Sequence, residues 1–126
     1  MNTILEDATM CFDLQDWQKK ITEYFSEQEG LPYRTGDPRR CGFVALYRKD
    51  WENFVCDNKD KIAKQNRNHT IILKNNEYWV WVNSSNAYLY RGYKYHKSLA
   101  DKYMDEEFIK DMILPCCVAC NSFDWF

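Results

Sequence analysis

Residues 70–82 constrain this chain more than any other stretch. Thr70-Ile71-Ile72-Leu73 and Tyr78-Trp79-Val80-Trp81-Val82 are β-branched and aromatic runs separated only by Lys74-Asn75-Asn76-Glu77. Asparagine tolerates left-handed backbone, so an Asn-Asn pair between two such runs predicts a tight turn and an antiparallel hairpin. Ser84-Ser85-Asn86 predicts a second turn. Residues 87–95 then read as a third strand, with Gly92 as a bulge. The expected sheet is a three-stranded antiparallel meander.

Three helical segments are expected to pack on it. Residues 13–29 place Leu14, Trp17, Ile21, Tyr24 and Phe25 on one helical face. Asp13 reads as the N-cap, Phe12 and Trp17 as a hydrophobic staple, and Gly30 as the stop. In residues 41–65, Phe43, Val44, Tyr47, Trp51, Phe54 and Val55 also fit one helical face. The same stretch allows a short strand at 43–47 followed by a helix capped by Asp50; the 3–4 spacing favours helix throughout. Ser98 reads as the cap of a last helix with Asp101 at N3. Leu99, Tyr103, Phe108, Ile109 and Met112 supply its apolar positions, and Pro115 lies beyond its end. The fold class is α+β, one domain over residues 1–126, as expected for a chain of 15.2 kDa.

Composition excludes other classes. Gly (4) and Pro (3) are too scarce for a collagen-like or linker-like chain, and 45% hydrophobic residues argue against wholesale disorder. No apolar run approaches a membrane span, and Glu6 and Asp7 sit where a signal peptide would be basic. The six cysteines therefore read as reduced thiols in a cytoplasmic protein. The abundance of Asn, Lys, Tyr, Ile and Phe, all encoded by A/T-rich codons, points to an AT-rich source such as a phage, another virus or a low-GC bacterium.

The net charge of −2 conceals a segregated pattern. Residues 1–30 carry −5, residues 31–97 carry +7 and residues 98–126 carry −4. Seven aromatics fall between Tyr78 and Tyr95, interleaved with Arg91 and Lys94 and followed by His96 and Lys97. A sheet face presenting such rings and bases suits an acidic protein surface or a nucleic acid. The candidate binding residues are Arg34, Arg39, Arg40, Tyr88, Tyr90, Arg91, Lys94 and Lys97. Cys116, Cys117 and Cys120 give a single C-x-x-C with no matching second knuckle, so no metal and no other cofactor is expected.

One constellation could carry covalent chemistry. Cys41-Gly42 would open a helix whose aligned peptide dipoles, with Arg39 and Arg40, lower the thiol pKa. His69 would stand at a strand mouth as base, and Asn83 on the returning strand would orient its ring. Cys41-Gly42-Phe43-Val44-Ala45-Leu46, His69-Thr70-Ile71-Ile72 and Trp81-Val82-Asn83 resemble the papain-like cysteine hydrolase superfamily, including its transglutaminase-like members. That resemblance implies Cys41 as nucleophile, His69 as base and Asn83 as orienting residue. Charge and composition favour a different function: a small accessory or inhibitor-type interaction protein that engages a protein or nucleic-acid target with an acidic surface and no membrane. The cysteine hydrolase or transferase is the alternative.

Overall fold

The computed structural model describes residues 14–27, 39–67, 69–117 and 122–126. Its centre is a six-stranded mixed sheet. The strands are β1 (Arg39–Val44), β2 (Ile62–Arg67), β3 (Thr70–Leu73), β4 (Glu77–Val82), β5 (Lys97–Ala100) and β6 (Phe123–Trp125). Their order across the sheet is β2-β3-β4-β1-β5-β6. The helices are α1 (Asp16–Ser26), α2 (Arg48–Asp57) and α3 (Glu106–Phe108). A wide π turn, Ile109–Ile113, and a 3-10 turn, Leu114–Cys116, prolong α3.

The hairpin forms as its turn chemistry requires. β3 and β4 pair antiparallel, and Asn76 takes the left-handed backbone, with φ 68°. β2 adds antiparallel to β3. From there the sheet departs from a meander. β1 lies parallel between β4 and β5, and β6 runs parallel to β5. The expected helix over 41–65 is instead β1, α2 and β2. Every residue from Cys41 to Ala45 is buried. A central parallel strand covered on both faces is continuously apolar, and in this stretch such a run mimics helical spacing.

Alternation along the strands sorts two cores. Cys41, Phe43, Ala45, Ile71, Leu73 and Trp79 face α2, where Trp51 is buried and Phe54 and Val55 pack. Phe43 lies 5.6 Å from Trp51 and 4.5 Å from Phe54, ring centre to ring centre. Burying one such side chain contributes roughly 1.5–3 kcal/mol. On the opposite face Val44, Val80, Val82, Ala100 and Phe123 pack against Ile21 and Phe25 of α1 and against Ile109 and Ile113. The architecture is helix, sheet, helix in three layers.

α1 starts at Asp16 rather than after Asp13; Phe12, Asp13 and Gly30 lie outside the described residues. Gln15 precedes it and donates its backbone N–H to Gln18 Oε1 at 2.7 Å. Gln18, unexpected on the inner face, is buried and donates to the Lys102 carbonyl at 2.7 Å. Trp125 Nε1 donates to Thr22 Oγ1 at 2.8 Å, fastening β6 under the helix. Tyr24, expected on the apolar face, is exposed.

Residues 87–95 are not a strand. Ala87–Tyr90 is a 3-10 turn, and Gly92 occupies a turn with φ 87° rather than a bulge. Both β4 and β5 run parallel to β1, so the chain between them must travel back along the sheet before pairing again. Ala87, Tyr90, Tyr93 and Tyr95 face inward during that return. Ser98, expected as a helix cap, is an inward residue of β5, with its Oγ 3.6 Å from Cys117 Sγ. Asp105 caps the last helix instead, accepting the Phe108 N–H at 3.2 Å.

Candidate functional site

Parallel pairing places the amino ends of β4, β1 and β5 side by side. Arg39 stands beside Glu77, and Cys41 beside both Trp79 and Lys97. Arg39 and Arg40 are exposed there. A reciprocal pair of hydrogen bonds fixes the Arg40 main chain: its backbone N–H donates to His96 Nδ1 at 3.1 Å, and the His96 backbone N–H donates to the Arg40 carbonyl at 2.7 Å. His96 is buried, and burial holds its pKa below the ordinary histidine value. The accepting Nδ1 requires the neutral ring to carry its proton on Nε2.

The Arg40 guanidinium carbon lies 5.4 Å from the centre of the Tyr93 ring, within cation–π range. Tyr93 packs edge-on to Tyr90, with centres 5.5 Å apart, and against Tyr95 at 5.3 Å. Tyr95 in turn packs against Gly42, where a Cβ would stand 3.0 Å from its ring. The Tyr93 hydroxyl is buried without a hydrogen-bond partner among the described residues. Burial pushes the pKa of both Tyr93 and Tyr95 upward, so both remain neutral phenols.

Lys97 does not present a free charge. It pairs with buried Glu77, which also accepts the Trp79 indole N–H at 3.0 Å. Burial pushes the Glu77 carboxyl up; the hydrogen bonds from Lys97 and Trp79 and the Lys97 charge outweigh it and leave the pKa lowered.

The other sequence candidates divide. Arg91 and Lys94 are exposed on the segment leading to β5. Tyr88 is 63% exposed, whereas Tyr90 is half-buried on the core. Arg34 and Cys120 lie outside the described residues.

The register separates Cys41, His69 and Asn83. Cys41 sits inside β1 rather than at a helix start, is 0% exposed, and directs its thiol to the Arg39 carbonyl at 3.7 Å. The His69 carbonyl accepts the Trp81 N–H, so His69 lies beyond β4, about 10 Å across the sheet from β1. Asn83 Oδ1 accepts the N–H groups of Ser85 and Asn86 at 2.8 and 3.0 Å, closing the turn after β4. Among the described residues, no three of His, Cys, Asp and Glu group as a metal site.

At the opposite end of the sheet, the segments that follow β1 and β5 carry no sequence candidate, and Tyr47 and Tyr103, expected on apolar helical faces, are exposed there. Leu46 and Tyr47 follow β1, and Tyr103 follows β5. Leu46 is 40% exposed, Tyr47 66% and Tyr103 75%. Asp101 leaves β5 buried, its Oδ1 accepting the Tyr103 N–H at 2.9 Å. Burial raises the Asp50 carboxyl pKa in the first turn of α2, and the nearby Asp101 charge raises it further. Only the β1–β5 pairing brings these segments together, and nothing local in the sequence announces it.

No family model matches the sequence, and no curated protein matches it. Solved structures do resemble the fold. The large terminase of the thermophilic bacteriophage D6E superposes with a TM-score of 0.53 at 14% identity. Its ADP complex in another crystal form gives 0.50 at 16%. Each likeness covers 75% of this chain and 27% of the terminase, so the chain corresponds to about a quarter of that protein. At this identity the likeness concerns the fold: a mixed α/β sheet between helices. Among the described residues, no helix is long and apolar enough to cross a membrane.

Proposed function

We propose that this chain is a small interaction protein that engages an acidic partner surface, on a protein or a nucleic acid, through the amino end of its sheet. The observation that carries this reading is the exposed Arg39–Arg40 pair, with the Arg40 main chain anchored to buried His96 and its guanidinium lying over Tyr93. An arginine ordered before binding loses less side-chain entropy on contact than a free one. Exposed Arg91 and Lys94 extend the positive potential along the segment that enters β5, whereas the exposed Tyr88 follows the turn at the carboxyl end of β4 and lies outside this surface. A cytoplasmic setting and a phage, viral or mobile-element source accord with the reduced-thiol reading, the abundance of Asn, Lys, Tyr, Ile and Phe, and the likeness of the fold to part of a phage terminase.

The test is fluorescence anisotropy with two labelled probes, a single-stranded oligonucleotide and a polyglutamate peptide, at low and high salt. Binding to at least one probe is expected, weakening as salt screens the charges. Arg39→Glu with Arg40→Glu should reduce affinity mainly through the association rate while the fold persists. Absence of binding to both probes, or binding that the double reversal leaves intact, overturns the reading.

A further inference from the structure

The two ends of the parallel strands are chemically opposite. At the amino end Arg39, Arg40, Lys74 and Lys94 are exposed, and Glu77, the acid beside them, is neutralised by Lys97. At the carboxyl end stand the exposed Leu46, Tyr47, Tyr103 and Asp105, with Asp50 half-buried and Asp101 buried beside them. Bases at the carboxyl end are partly engaged. Arg48 pairs with Glu52, and the Lys102 ammonium lies 5.6 Å from the centre of the Tyr103 ring; Lys49 is exposed beside them. Asp50 and Asp101 stand close enough to repel each other, and neither belongs to an ion pair among the described residues.

Exposed tyrosines flanked by carboxylates form a receptor for guanidinium groups, which stack on the rings and donate to the oxygens. Exposed tyrosine and leucine on one side of a small protein also mark a surface that is covered in use. The carboxyl ends of parallel strands, where connections diverge, are the general location of binding crevices in open α/β sheets. Among the described residues, the guanidinium pair of matching chemistry is the chain's own Arg39 and Arg40, at the far end of β1. The protein already uses this pairing internally, where Arg40 lies over Tyr93.

We propose that the chain associates with itself head to tail, the arginine-bearing amino end of the sheet in one copy docking on the tyrosine- and carboxylate-bearing carboxyl end of the next. The two surfaces differ, so the contact is heterologous and can extend to a ring or a chain of copies. This proposal shares Arg39 and Arg40 with the partner site above but does not rest on it. An acidic partner would compete for the same arginines.

Sedimentation velocity across a concentration series, without any ligand, tests it. The wild-type protein should show association that grows with concentration and is lost at high salt. Arg39→Glu with Arg40→Glu should be monomeric, and so should Asp50→Asn with Tyr47→Ala, each checked for its fold by circular dichroism. Tyr103→Ala replaces the second variant if that one unfolds. Each variant keeps one intact end, so an equimolar mixture should give a one-to-one dimer that grows no further. A monomeric wild type at all concentrations, association that survives either variant, or a mixture that stays monomeric overturns the proposal. Anisotropy with the two anionic probes is read separately, so failure of self-association and failure of partner binding are distinguishable.

Discussion

Replacing Gly42 by alanine tests the packing that supports Arg40. Inside a strand, Gly→Ala is normally stabilising by roughly 0.4–1 kcal/mol, because alanine restricts the unfolded chain. Here the added Cβ would meet Tyr95 Cε1 at 3.0 Å, Cδ1 at 3.1 Å and Cζ at 3.3 Å. Carbon pairs prefer about 3.5–4.0 Å, so the ring must retreat by about 0.5 Å. Tyr95 is 1% exposed, touches Tyr93, and is tied to the Cys116 carbonyl through its backbone N–H at 2.8 Å, so it has little freedom to move. Overpacking of this kind costs roughly 1–3 kcal/mol, which exceeds the entropic gain. A net loss of about 1–2 kcal/mol should appear in urea titration as a lower midpoint with unchanged slope. Combining Gly42→Ala with Tyr95→Leu should cost less than the sum of the two single changes, since the contact that produces the penalty is gone. The displaced ring also pushes Tyr93 beneath Arg40, so probe affinity should fall in the single variant by more than its stability loss explains. A Gly42→Ala protein as stable as wild type, or more so, would refute the reasoning and show that Tyr95 yields freely.

Three further outcomes are expected. The Lys97 and Trp79 hydrogen bonds and the Lys97 charge outweigh burial and leave Glu77 with a lowered pKa in the folded state, so its contribution to stability is present above the ordinary carboxylate value and is lost as pH falls through the folded value; urea midpoints should decline on acidification, and Glu77→Gln should flatten that part of the profile. Trp51→Ala should cost roughly 3–5 kcal/mol in urea unfolding, because it empties the centre of the α2 core, whereas Tyr88→Ala, at an exposed ring, should stay within about 0.5 kcal/mol. Among the described thiols Cys56 is exposed while Cys41, Cys116 and Cys117 are buried; a thiol reagent followed by peptide mass spectrometry should label Cys56 first and the other three only on unfolding, and rapid native labelling of Cys41 would contradict its place in β1.

The parts of this fold that the sequence determined by itself are local ones. The β3–β4 hairpin was legible because two strand-forming runs and an Asn-Asn turn lie within thirteen residues, and Asn76 supplies the required left-handed backbone. α1 was legible because Ile21 and Phe25 stand one helical turn apart on its inner face. The exposure of Arg39 and Arg40 followed from residue type, whereas only the fold decided that Tyr88 rather than Tyr90 is the exposed ring. Tertiary structure decided the rest. Cys41 pairs with Trp79 on one side and Lys97 on the other, partners far along the chain that no local pattern names. Because β1 is buried on both faces, its apolar residues lose the alternation that marks a strand and take on apparent helical spacing. The same insertion of β1 between β4 and β5 turned residues 87–95 from a third strand into a return path. It also separated Cys41 from His69 by the width of β4 and brought Asp101 beside Asp50. A long-range parallel pairing is stabilised by contacts that exist only after the chain has closed on itself, so its consequences for the site could be read only from the assembled sheet.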